Sequence, residues 1–144
     1  MPAKLVEGWQ LSVIQIFQSG QALLIPNGIV FTGQDPRLGP EERNIDRWFN
    51  PAAFAVQPSF TLRTVSVRLA RLQGDAINNW DLALAKRTAI SERLKIEFRW
   101  EAFNAWNRAQ FGAPNLNPAS GGYGRITSTA NNPREMQFGL KLIF

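Results

Sequence analysis

Apolar and polar residues alternate strictly over two stretches of the chain. From Leu94 the sequence reads LKIEFRWEAF, with Leu94, Ile96, Phe98, Trp100 and Ala102 on one parity and Lys95, Glu97, Arg99 and Glu101 on the other. A period of two belongs to a strand between two unlike environments; a helix would scatter both sets around its circumference. The stretch REMQFGLKLIF repeats the pattern, Met136, Phe138, Leu140, Leu142 and Phe144 alternating with Glu135, Gln137, Gly139, Lys141 and Ile143. Upstream, Trp80, Leu82 and Leu84 alternate with Asp81, Ala83 and Ala85. Lys86 then falls on the apolar parity near the strand end, where its stem can snorkel. The earliest candidate is looser: Trp9, Leu11, Val13 and Phe17 share parity, and so does Gln15. The pattern predicts strands near 9–18, 78–88, 93–103 and 134–144.

The connections are unequal. A short turn, Ala89 to Arg93, joins the second and third strands, whereas 19–77 and 104–133 are long and rich in Pro, Gly or Asn. Compact domains rarely carry connections this long unless they serve a function. Within the first, a stretch such as Val65 to Leu69 is expected to pair locally. Long and short connections alternating along antiparallel strands describe a transmembrane β-barrel, with long extracellular loops and short periplasmic turns. Each strand is close to the ~9–11 residues that cross a tilted barrel wall. Trp9, Phe17, Trp80, Trp100 and Phe144 are candidates for its interfacial aromatic girdles. A soluble β-sandwich also alternates, but full charges opposite large apolar side chains between long loops favour the barrel. The expected fold is therefore all-β, an antiparallel transmembrane barrel wall made of about four strands. Four strands cannot close, since the smallest such barrels have ~8, and an open sheet with two bare edges aggregates in water. The chain is accordingly expected to be a piece of a longer polypeptide, in preference to one protomer of an assembled barrel. Met1-Pro2-Ala3-Lys4 does not open a secretory leader pattern, and no apolar run approaches the ~20 residues of a membrane-spanning helix.

Composition removes several chemistries. The chain has no cysteine and no histidine, so disulfides, thiolate metal sites and His-dependent nucleophile systems are out of reach. The net charge is +5 and the pI about 10.4, yet the basic residues are dispersed, and no nucleic-acid partner is expected. Glu97 and Glu101 resemble a carboxylate pair, but Lys95 and Arg99 between them keep both ionised instead of poised as acid and base. The glycine-rich SGGYG, Ser120 to Gly124, lacks the phosphate-binding loop pattern and reads as a turn. No enzyme activity and no cofactor are expected.

Five stretches carry a family resemblance: GWQLSVIQIFQSGQ, DRWFNPAAFAV, INNWDLALAKRTAI, RLKIEFRWEAFNAWNRAQFGAPN and GRITSTANNPREMQFGLKLIF. Together they resemble the C-terminal end of TonB-dependent outer-membrane receptors, in particular the Oar-like group that often carries an N-terminal carboxypeptidase-regulatory-like domain. The resemblance implies a barrel of about 22 strands, of which this chain supplies the last few together with external loops. It implies energised uptake of a bulky external ligand past a plug domain, with neither the plug nor the TonB-binding box in this stretch. The implied partners are outer-membrane lipid, the rest of the receptor chain, TonB through the N-terminal part, and the barrel-assembly machinery. The implied location is the outer membrane with the C-terminus on the periplasmic side. A non-transporting adhesion or surface-binding barrel is the alternative, and a small soluble β-domain a weaker one.

Three residue sets follow. The family's assembly signal maps onto Met136, Phe138, Leu140, Leu142 and the terminal Phe144, which serve equally as lipid-facing side chains. Lys95, Glu97, Arg99, Glu101, Glu135 and Lys141 are expected to face the lumen, chiefly neutralising one another. Trp48, Phe49, Trp106, Phe111 and Tyr123 in the long connections are candidates for ligand contact, or else anchors that pack the loops; the RWFNPAAF cluster, Arg47 to Phe54, favours a loop-structural role.

Overall fold

The computed structural model describes residues 6–144. Eight strands follow in order: β1 (Trp9–Gln18), β2 (Ala22–Leu24), β3 (Ile29–Phe31), β4 (Phe54–Val56), β5 (Arg68–Gln73), β6 (Ile77–Ala89), β7 (Lys95–Phe103) and β8 (Glu135–Ile143). They fall into two units, one of residues 6–17, 78–109 and 132–144, the other of residues 18–77 and 110–131. Among the described residues no helix is long and apolar enough to cross a membrane, which leaves crossing by strands open.

The first unit is a four-stranded sheet in the order β1-β6-β7-β8. The last three strands form an antiparallel meander, with Leu84 opposite Trp100 and Trp100 opposite Phe138. The turn from β6 to β7 is closed by Ile90 and Ser91 N–H groups donating to the Leu94 carbonyl at 2.8 and 3.1 Å. At the entry to β1, Gly8 has φ +79°, and its carbonyl accepts the Arg87 N–H at 2.9 Å. A Cβ there would stand 2.2 Å from the Arg87 carbonyl oxygen, so both conformation and space call for glycine.

Where β7 ends, Asn104 adopts φ +48°, a left-handed geometry that asparagine tolerates better than most residues. Its amide nitrogen donates to the Arg108 and Asn132 carbonyls at 3.0 and 3.1 Å, and its side-chain oxygen accepts the Arg108 N–H. Asn107, also left-handed at φ +52°, accepts the Arg134 N–H at 2.9 Å. Two asparagines thus fix the exit of β7 and the approach to β8.

The second unit, hereafter the loop unit, has its own apolar core. Paired ribbons β2–β5 and β3–β4 surround Leu23, Ile25, Ile29, Phe49, Phe54, Val65, Leu72 and Ile126. A 3-10 turn at Pro51–Ala53 is capped by Asn50, whose side chain accepts the Ala52 N–H. Arg63 acts as a staple: its guanidinium donates to the Ile25 and Val65 carbonyls at 2.9 and 2.6 Å and to Asn27 Oδ1 at 2.6 Å. The stretch 19–77, whose prolines predict irregular chain, therefore contains four short strands that pair two by two. The local pairing expected around Val65 to Leu69 lies slightly later, with Leu23 opposite Leu69 and Leu24 opposite Arg68, while Val65 joins the core.

Candidate functional site, a sheet with two unlike faces

Register decides which side chains share a face. Leu82, Leu84, Lys86 and Thr88 of β6 stand opposite Ala102, Trp100, Phe98 and Ile96 of β7. Those in turn stand opposite Met136, Phe138, Leu140 and Leu142 of β8. Three strands thus present one broad apolar face, and its outer row is open: Phe138 is 72% and Leu140 71% exposed. Ring centroids of Phe98 and Phe138 lie 6.3 Å apart along the diagonal between strands. A soluble sheet would cover such a face, whereas one in lipid has no need to. The four β8 residues of the expected assembly signal all lie on it, and Phe144 follows them, 95% exposed.

Lys86 is the one charge in this register, and its ammonium sits 4.6 Å from the centre of the Trp9 ring. The head thus meets an aromatic ring in a cation–π contact. Trp9 on this face fixes the β1 parity, with Gln10 and Ser12 on the other side beside Ala83, Ala85 and Arg87. Trp100, placed by its chemistry with the interfacial aromatics, stands instead inside the strand between Leu84 and Phe138.

The opposite face is polar and ion-paired. Lys95, Glu97, Arg99 and Glu101 share it by strand parity, joined by Lys141 opposite Glu97 and Glu135 opposite Phe103. All six charges expected together are thus brought to one face. Arg87 donates to Glu97 Oε2 through Nε at 3.0 Å and Nη2 at 2.5 Å. Arg99 approaches Glu101 Oε1 through Nε at 2.7 Å and Nη2 at 2.6 Å. Gln137 donates to the other Glu101 oxygen. The pairing supports mutual neutralisation, and each carboxylate has a cationic partner that opposes its use as a general acid. Arg87 carries no sequence signal for this role, because its partner lies on the neighbouring strand, whose register no local pattern reveals. Among the described residues no three His, Cys, Asp or Glu side chains gather to hold a metal ion.

The aromatics proposed for ligand contact need correction. Phe49 is fully enclosed, with ring centroids of Phe54 and Tyr123 at 5.9 and 5.3 Å, both edge-on. Trp48 is buried, with its indole N–H donating to the Gln73 carbonyl at 2.9 Å and the Arg43 guanidinium 3.7 Å over its ring. Phe111 packs edge-on against Trp48 at 6.2 Å. Tyr123 is half-buried, its hydroxyl makes no hydrogen bond to the protein, and burial pushes its pKa up to about 12. These four are core anchors, because the unit gains more by burying its large rings than by displaying them. Trp106 alone of the five remains mostly exposed, standing edge-on to Trp80 at 6.3 Å. The most exposed apolar residues of the loop unit are instead Phe60 and Leu62, both fully or nearly fully exposed. Phe60 sits at φ +59°, unusual for an aromatic residue, in a turn held by Thr61 Oγ1 donating to the Pro58 carbonyl at 2.6 Å. At a second turn, Arg37 donates to both Asp35 oxygens and holds that carboxyl down at a pKa of about 2.

A family model described as "Outer membrane beta barrel domain" matches residues 1–137. No curated protein matches the chain, and no solved structure matches it.

Proposed function

Since the chain belongs to the outer membrane beta barrel domain family, we propose that it supplies part of the wall and the external loops of a TonB-dependent outer-membrane receptor. The observation that carries this reading is the meander β6-β7-β8, apolar on one face, ion-paired on the other, with β8 at the sheet edge. Outer-membrane lipid meets the Leu82–Trp100–Phe138 face, and the ion pairs meet the hydrated interior. The resemblance of the end strands and of the RWFNPAAF and FNAWN segments to the Oar-like group supports uptake as the activity. On this reading the short β6–β7 turn and the C-terminus are periplasmic, the long connections are external, and the chain performs no catalytic step. Energy comes from TonB acting on the N-terminal part of the receptor. Disulfide or photochemical crosslinking of the full-length receptor to the periplasmic TonB domain tests this: an adduct is expected, and its absence in a correctly assembled barrel points to a non-transporting protein.

That second reading, an adhesion or surface-binding barrel, draws on the loop unit. A self-packed core displaying Phe60 and Leu62 suits protein contact as well as ligand capture.

Strand β8 is further proposed to be read by the barrel-assembly machinery, its backbone edge in this sheet offering a template for strand pairing. In the full-length receptor, Phe144→Asp is expected to reduce the heat-modifiable, folded barrel in the outer membrane severalfold. Unchanged levels would show that the terminal ring carries no signal.

A further inference from the structure

The polar face is not uniformly neutral. Its rows, read through the register, are Ala89–Lys95–Ile143, Arg87–Glu97–Lys141, Ala85–Arg99–Gly139 and Ala83–Glu101–Gln137. The three rows nearest the β6–β7 turn hold four cations and one carboxylate. Acidic groups collect at the other end: Glu101, then Glu135 opposite Phe103, and Asp81, engaged by the Asn79 amide and the Asn104 N–H.

Depth adds to this segregation. The side chains of Arg87 and Arg99 are 64% and 56% exposed, whereas those of Glu97 and Glu101 are 20% and 16% exposed. The carboxylates lie beneath and the guanidiniums above them. Each guanidinium has five N–H donors, of which its carboxylate engages two. A cleft of about 460 Å³ opens here, lined by the small residues Ser12, Ala83 and Ala85 together with Trp9, Gln10, Arg87, Arg99 and the Glu97 carboxylate that Arg87 engages. The small residues let a partner approach the sheet backbone, and the guanidiniums fix the sign of what approaches.

We infer that the turn-side half of the polar face is a seat for an acidic polypeptide segment, bound by its spaced carboxylates across Arg87, Lys95, Arg99 and Lys141. Size favours a segment over a single small anion. From Lys95 to Arg99 the patch extends about 14 Å along the strand, and β6 to β8 spans about 10 Å across it. One small carboxylate bridges a fraction of that distance, whereas a chain with several carboxylates complements it throughout. The inference requires only that this face be wetted, as the barrel family provides, and stands independently of energised uptake: a receptor that fails to crosslink TonB leaves it untouched.

The test uses the complete barrel protein in detergent micelles, with fluorescein-labelled octaglutamate followed by anisotropy at low salt. Binding is expected, and K95Q/K141Q, which leaves both ion pairs in place, is expected to weaken it about tenfold, roughly threefold for each exposed cation. R99Q gives a second loss in the same direction, and heat-modifiable mobility verifies that each variant is folded. Failure of octaglutamate to bind, equal binding of octalysine, or unchanged affinity in both variants would overturn the proposal. Citrate displacing the peptide at equal concentration would overturn it too, by showing that a small anion suffices.

Discussion

Phe138 and Leu140 of β8 stand largely in the open, while Phe49 of the loop unit is wholly enclosed by Phe54 and Tyr123. The same residue types therefore follow opposite rules in two parts of one chain. In the loop unit burial removes apolar area from water, at about 25 cal/mol per Å², and rings stack edge-on into a core. In the sheet the apolar side chains form an open face with no covering layer, as a barrel wall facing lipid allows. Backbone pairing obeys the same division. The sheet satisfies its N–H and C=O groups with long registered strands, as a membrane demands. The loop unit manages with strands of three to six residues, an asparagine cap and the Arg63 staple, sufficient only where water can reach the remaining groups.

The largest expected break in this comparison comes from Phe49→Ala. It deletes the ring at the centre of the loop core and should cost that unit about 3–5 kcal/mol. Limited proteolysis should then cut within 18–77, while the sheet, measured by heat-modifiable mobility of the whole barrel, stays folded. Simultaneous loss of both would mean that the units do not fold by separate rules.

Next in size is a paired charge test on β8. Leu140→Arg puts a guanidinium on the apolar face and should cost about 2–4 kcal/mol if that face lies at mid-bilayer depth. Ile143→Arg puts the same group on the polar face and should cost under about 1 kcal/mol, as exposed charges generally do. Denaturant titration of the reconstituted barrel compares the two, and equal costs would erase the distinction between faces.

The smallest effect is spectroscopic. Tyr123 is the sole tyrosine of the chain, and burial raises its pKa to about 12, against about 10 for a free phenol. The neutral phenol is favoured in the folded unit, so its contribution is fully present below about pH 10 and is lost as pH rises towards 12. Ultraviolet titration of this stretch should show phenolate only near pH 12, shifting to about 10 in Phe49→Ala, where the covering ring is gone.

The two regions also differ in how much of them is legible. The alternation at Leu94 to Ala102 and Met136 to Phe144 coincides with β7 and β8, because a strand between two solvents writes its environment into every residue. Inspection of neighbours recovers the sheet and its two faces for that reason. The loop core cannot be recovered that way. Leu23, Ile29, Phe49, Leu72 and Ile126 are brought together from separate segments, and three of the unit's four strands, at three residues each, are too short to show a period. Aromatics in a Pro-rich stretch consequently look displayed when they are anchors, and Phe60, which is displayed, carries no sequence signal to distinguish it. Arg63 and Arg87 are equally hidden, since each reaches a partner distant in sequence, Ile25 for Arg63 and Glu97 for Arg87.

As part of a barrel wall, β8 is expected to separate lipid from water residue by residue. The chain has no cysteine of its own, so single cysteines at 137, 138, 139, 140, 141 and 142 can each carry a nitroxide in the reconstituted barrel. Collision with oxygen should dominate at 138, 140 and 142, and collision with a water-soluble nickel chelate at 137, 139 and 141, alternating with period two. Flat accessibility along the strand, or alternation of the opposite phase, would contradict the account.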